Sequence, residues 1–233
     1  MYAKPSIKCN RLDLIYAAEC EPAAISTNQN YAHFLPLRDN SRMLERLKHY
    51  IALTRLNRLT MYLSFVALFL AVSYPFTKRF LAMPQAYLGI AFGFGIPMAF
   101  AAETGAVPPL AWWLLAANVF WTLAYDTEYA MVDRDDDVKI GIKTTALLFG
   151  KYDVAMVMFC YLVVLSLLTG IGKVIGLGWP YFLGLTIACG IALFHYTLIR
   201  TRDRARCFKA FLHNNWLGFT VFCGVMFDYA LRT

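Results

Sequence analysis

"LAWWLLAANVFWTLAYDTEYAMVDRDDD", residues 110–137, joins sixteen uncharged residues to twelve that hold five aspartates and a glutamate. The chain has fifteen acidic residues in all, so this stretch takes six of them. The apolar run is close to the length a helix needs to cross a bilayer. Backbone amides in lipid must be satisfied within the segment, so a helix is the expected form. Carrying that helix on at about 100° per residue puts Asp126, Asp133 and Asp137 on one face, with Tyr129 beside them. Asp135 points the other way. Asp133 and Asp137 are one turn apart, about 6 Å along the axis. Three carboxylates on one face repel unless a cation joins them. Mg2+ suits such a face, because it takes one or two protein carboxylates and fills the rest of its shell with water and substrate phosphates. Asp135, Asp136 and Glu128 are expected to be solvated acidic residues at a membrane edge.

Composition agrees with a membrane setting. Of 233 residues, 59% are hydrophobic and 16% charged, with 18 Phe, 14 Tyr and 5 Trp. Soluble domains carry about 25% charged residues. The net charge of +7 does not point to nucleic acid, because the charges lie between apolar runs. Six spans are expected, at 56–74, 84–102, 108–125, 154–172, 178–199 and 214–231. Pro97 predicts a kink in the second. From residue 59 onward there are thirteen Lys and Arg, and eleven fall in the 77–80, 126–153 and 200–209 connections. The positive-inside rule places that side, and the carboxylates with it, in the cytoplasm. The six Lys and Arg at 38–58 would set the opposite orientation for the first span. Residues 1–52 show no sustained period and no signal-peptide core, and are expected to be irregular.

A second group sits at the same boundary. "YPFTKR", residues 74–79, sets Tyr74 and Lys78 four apart. A lysine there either meets a phosphate as a point charge or anchors the helix at the interface. The four histidines form no i, i+4 pair, which argues against a histidine metal site. Cys160, Cys189 and Cys223 lie inside apolar runs and read as small hydrophobes. Arg200, Arg202, Arg204 and Arg206 read as headgroup anchors. Asn214 and Asn215 are expected to begin the last span, as a cap or a substrate contact. Gly141 and Thr144 are expected to form a loop and the N-cap of the next helix.

Together with "GIAFGFGIPMAFAAE" (89–103), "AYDTEYAMVDRDDDVKIGIKTTALLFGKYD" (124–153) and "CFKAFLHNNWLG" (207–218), these motifs resemble the UbiA family of intramembrane aromatic prenyltransferases. The resemblance runs from about residue 54 to 230. It implies an all-α, multi-pass transmembrane bundle, of which this chain holds about six of the family's nine helices, in residues 53–233. It implies Asp126, Asp133 and Asp137 as catalytic and Mg2+-binding residues. Candidate substrate-binding residues are Tyr74, Lys78, Tyr129, Lys143 and Asn214. The implied reaction transfers a polyprenyl group from polyprenyl diphosphate to the ring carbon ortho to the hydroxyl of 4-hydroxybenzoate, in ubiquinone biosynthesis. The implied place is a bacterial inner membrane, in contact with lipid, with the active face cytoplasmic. The family's first Asp-rich motif, Asn-Asp-x-x-x-Asp, has no match in residues 1–55. Residues 1–52 are therefore expected to be a non-family segment, such as a frameshifted or truncated gene copy leaves, and catalysis is expected to be weakened. The alternative is a non-catalytic membrane protein or a transporter. Transporters place ionisable residues near the midplane, whereas here they cluster at one end.

Overall fold

The computed structural model describes residues 58–81 and 83–232 and, for Lys78 and Arg79, the backbone alone. The expectations for residues 1–52, the missing first motif among them, lie outside the described residues. Every regular element among the described residues is helical. In chain order these are α1 (Arg58–Phe80), α2 (Pro84–Gly93), α3 (Gly95–Thr104) and α4 (Pro109–Val132). Then come α5 (Arg134–Ile140), α6 (Thr145–Phe149), a 3₁₀ turn (Gly150–Tyr152), α7 (Asp153–Val174), α8 (Trp179–Ile199) and α9 (Arg204–Ala230).

Among the described residues, four stretches are long and apolar enough to cross a membrane: Arg58–Thr77, Pro84–Thr104, Thr145–Val174 and Trp179–Ile199. Helices α4 and α9 have the length, 24 and 27 residues, and carry the polar residues described below. Large apolar side chains such as Phe65, Phe69, Trp113 and Leu193 stay exposed on the bundle surface. That is the pattern of a multi-pass protein whose solvent is lipid. The helix is interrupted between α2 and α3 at Phe94, one turn before Pro97. Proline has no N–H to offer the carbonyl four residues back, so the ladder is interrupted there.

Helix α4 is the hub. It packs against α2, α7 and α9, and α9 in turn lies along α8. The α8–α9 contact depends on small residues: a Cβ added at Gly184 would stand 2.7 Å from the Thr220 carbonyl oxygen. Such close approach replaces the missing hydrophobic drive between helices in lipid. The core joins Leu123, Ala124, Val157, Ala188, Ile199 and Leu217 from four helices. Cys160 and Cys207 are buried in it, whereas Cys189 is exposed on α8.

Two boundaries differ from the sequence expectation. Helix α9 starts at Arg204, ten residues before the expected 214, because Asp203 caps it: Oδ1 accepts the Arg206 N–H at 3.0 Å. Arg, Ala and Lys are good helix formers, so the helix runs on where hydropathy fades. Asn214 therefore sits well inside α9 and caps nothing. The 126–137 stretch is also not one continuous helix. Asp133 (φ −96°, ψ 4°) ends α4 and precedes α5.

Candidate functional site

The charged end of the bundle is built by the α4–α5 joint. Helix α5 lasts seven residues and stops at Gly141, whose φ of 69° is readily reached only without a Cβ. Extended Thr144 then starts α6 as its N-cap residue, without a side-chain capping bond. Asp153, fully buried at the start of α7, ties this end together. Arg134 donates to Asp153 Oδ2 at 3.0 Å and to the carbonyls of Ala146 and Gly150. Arg202, in the left-handed region at φ 55°, donates to Asp153 Oδ1 at 2.7 Å and to the Lys151 carbonyl. The hydrogen bonds to Asp153, with its charge, hold the Arg202 guanidinium above its usual pKa. Arg202 thus locks loops together and is not a headgroup anchor. Arg204 is also engaged, pairing with Asp133 at 3.5 Å and Asp136 at 3.3 Å.

This frame holds a cavity of about 130 Å3. Tyr74, Asp126, Tyr129, Asp133, Asp137 and Lys143 all line it. Five of them come from α4, α5 and the following loop, and Tyr74 reaches in from α1. The break at Asp133 does not scatter the carboxylates, because α5 restarts at once with Asp137 turned to the same cavity. Asp135 and Asp136 are exposed. The hydrogen bond from Lys139 to Asp136, followed by the Lys139 and Arg204 charges, holds the Asp136 carboxyl below the usual carboxylate range. The backbone of Lys78 lies in the last turn of α1, and its side chain is outside the described residues.

Two residues at this cavity were missed in the sequence. Gln85 and Thr144 also line it, and Gln85 Oε1 and Thr144 Oγ1 are buried without a hydrogen-bond partner among the described residues. Buried polar atoms nearly always have partners, so both are suited to a bound ligand. Nothing in their local sequence marks them as cavity residues. Among the described residues no three carboxylate, imidazole or thiolate groups converge at metal-ligand spacing. A Mg2+ ion that draws on one or two carboxylates and on substrate oxygens does not need three. Asp133 and Asp137 fit that role as hard oxygen donors on one cavity wall.

Asn214 does not join this cavity. It lies 4% exposed in a polar cluster inside the bundle. Its Nδ2 donates to the Tyr161 hydroxyl and to Glu128 Oε2, and Trp121 Nε1 donates to its Oδ1 at 2.7 Å. Glu128, expected in solvent, is 0% exposed. Tyr161 donates to its Oε1 at 2.9 Å, and His195 Nδ1 stands 3.3 Å from the same atom. His195 Nε2 continues to His213 Nδ1 at 3.1 Å. The signal for Glu128 was in the sequence: two residues past Asp126 is about 200° around the helix, away from the cavity and into the bundle. The two histidines come together from α8 and α9, which no single-helix spacing reveals.

This arrangement, a helical bundle with carboxylates and a lysine on one end cavity, has matching relatives. The chain belongs to the UbiA prenyltransferase family, whose model matches residues 50–218. It is 64% identical over 182 residues to a 4-hydroxybenzoate octaprenyltransferase of Azoarcus sp. (strain BH72), covering 78% of this chain and 63% of the relative. A 4-hydroxybenzoate octaprenyltransferase of Nitrosospira multiformis is 61% identical over 183 residues, with the same coverage of 78% and 63%. The chain thus spans somewhat under two thirds of the length of these relatives. In three dimensions it is similar to the apo structure of a UbiA homologue from Aeropyrum pernix K1. The TM-score is 0.64 at 22% identity, over 84% of this chain and 74% of that one. That likeness carries the fold.

Proposed function

We propose that this chain carries the reaction centre of a 4-hydroxybenzoate polyprenyltransferase. It would join a polyprenyl chain to the ring carbon ortho to the hydroxyl, as a step of ubiquinone biosynthesis. The observation that supports this reading is the end cavity lined by Asp126, Asp133, Asp137, Lys143 and Tyr74. The named relatives supply the substrate class. The membrane would be a bacterial inner membrane with this cavity on its cytoplasmic side.

The residues divide the work by chemistry. Asp133 and Asp137, with Asp126 near them, would hold Mg2+. Bound there, the ion supplies positive charge to the diphosphate oxygens. Lys143 lines the same cavity and faces the diphosphate as a point charge, and Lys78 has the sequence position for a second one. Gln85 and Thr144 offer an amide and a hydroxyl to the remaining oxygens. The allylic C1–O bond breaks and the diphosphate leaves with the electron pair. The ring carbon of 4-hydroxybenzoate bonds to C1, and the ring proton passes to the released diphosphate. Asp126 takes the phenol proton and raises the electron density of the ring. The apolar bundle keeps water from the allylic cation.

The test is direct. The full chain in detergent is given a polyprenyl diphosphate, 4-hydroxybenzoate and Mg2+, and the product is read by mass spectrometry. The expected product is 3-polyprenyl-4-hydroxybenzoate, lost on EDTA and restored by Mg2+. Release of diphosphate without a carbon–carbon bond, or no reaction, sinks the reading.

A further inference from the structure

Below the carboxylates lies a second cavity, of about 360 Å3. Asn118, Trp121, Tyr125, Phe211, Asn214 and Asn215 line it. It adjoins the carboxylate cavity: Tyr125 precedes Asp126, and the Phe211 ring packs on Tyr125 at 6.2 Å and on Tyr129 at 5.0 Å. Aromatic faces and amide edges suit a flat ring bearing polar substituents. Beyond it is an apolar crevice of about 250 Å3, lined by Leu114, Ala117, Val164, Leu217 and Val221. Asn118 and Trp121 belong to both walls. Trp121 therefore stands between them, about 18 Å along α4 from Asp133.

The indole is held in place from two sides. Its Nε1 donates to Asn214 Oδ1 at 2.7 Å. Its six-membered ring lies over Gly218, where an added Cβ would collide with Cη2. Asn214 is itself fixed, since its Nδ2 is committed to Tyr161 and Glu128. Glu128 accepts from Tyr161, and Tyr161 and Glu128 both meet His195 Nδ1, at 3.0 and 3.3 Å. Glu128 Oε1 accepts from Tyr161 and Oε2 accepts from the Asn214 amide, which leaves the Asn214 carbonyl for Trp121. A proton relay does not fit, because an amide and an indole are the groups that reach the cavity, and neither passes a proton on readily.

We propose that Trp121 is the floor of the acceptor compartment and sets the size of aromatic ring the enzyme admits, with Glu128 as the positioning residue that holds it through Asn214. This rests on the prenyl-transfer reading and deepens it. Trp121→Ala joins compartment and crevice into one space. Glu128→Gln turns one acceptor into a donor, so the Asn214 amide rotates and the indole loses its partner. Glu128→Gln with Asn214→Asp lets the amide at 128 donate to the carboxylate at 214 and leaves the other carboxylate oxygen to accept from Trp121, with the charge moved to position 214 and the Tyr161 hydroxyl turned to donate there.

The experiment compares 4-hydroxybenzoate with the longer 6-hydroxy-2-naphthoate in the full chain, with prenyl donor and Mg2+ held constant. Wild type is expected to favour the smaller acid by about tenfold or more in kcat/KM, and Trp121→Ala to narrow that ratio about tenfold. Gly218→Ala, which keeps the indole and displaces it from the crevice side, is expected to change the ratio and decides the matter if Trp121→Ala does not fold. Glu128→Gln is expected to raise KM for 4-hydroxybenzoate about fivefold with a smaller change in kcat, and the double variant to return KM to within about twofold of wild type. An unchanged ratio in folded Trp121→Ala or Gly218→Ala overturns the floor. A double variant no better than Glu128→Gln overturns the positioning role. No transfer to either acid by wild type overturns the prenyl-transfer reading itself, and the floor with it.

Discussion

Asp126 and Glu128 stand two residues apart on α4 and meet opposite surroundings. Asp126 is partly exposed on a cavity shared with Asp133, Asp137 and Lys143. Glu128 is sealed among Tyr161, His195 and Asn214. Asp153 repeats the second pattern, fully buried between Arg134 and Arg202. The difference teaches that carboxylate density alone says little here. A carboxylate whose bonds are filled by its own chain serves the fold. Carboxylates gathered on an open wall suit an arriving cation.

The contrast can be broken at several points. Asp137→Asn should have the largest effect, lowering kcat/KM for prenyl transfer by about a thousandfold while the melting temperature stays within about 2 °C. If stability falls and activity does not, the cavity carboxylates belong with the buried set. Asp153→Asn should do the reverse. It leaves two partly exposed guanidiniums without their shared acceptor and should cost about 2–3 kcal/mol in denaturant unfolding, with turnover per folded molecule kept within about threefold. Asp136→Asn should do least, because this exposed carboxylate is held mainly by Lys139. Its pKa is lowered in the fold, so its contribution is present at neutral pH and lost as pH falls through the lowered value. The small difference in melting temperature from wild type should therefore vanish on acidification. A difference that persists in acid means that the ion pair is not its source.

Much of the fold was legible because it follows from hydropathy. Runs of uncharged residues near 20 long have one stable form in lipid, and the interruption before Pro97 follows from a missing N–H. The ends of α4 and α9 were not legible. A helix continues where its backbone is satisfied, and Asp203 rather than the last apolar residue decides where α9 begins. The carboxylate wall could be read from one helical wheel, even across the joint at Asp133. Gln85, Thr144, the His195–His213 pair and the floor at Trp121 could not. Each depends on which helix lies beside which, and that is set by packing of α2, α8 and α9 around α4. Asn214 was picked as a substrate contact for its place near one end. It lies in the buried cluster and on the wall of the cavity below the carboxylates, a setting made by helix packing and not by its sequence position.

The cysteines give the bundle a built-in depth scale. Cys160 and Cys207 are closed to any reagent while the helices stay packed, and Cys189 faces outward midway along α8. A thiol probe that partitions into lipid and one confined to water would therefore see different molecules. Loosening of the core would register as the appearance of two new reactive sulfurs. The protein thus reports its own packing without an added label, through side chains that serve the fold only as small apolar fillers.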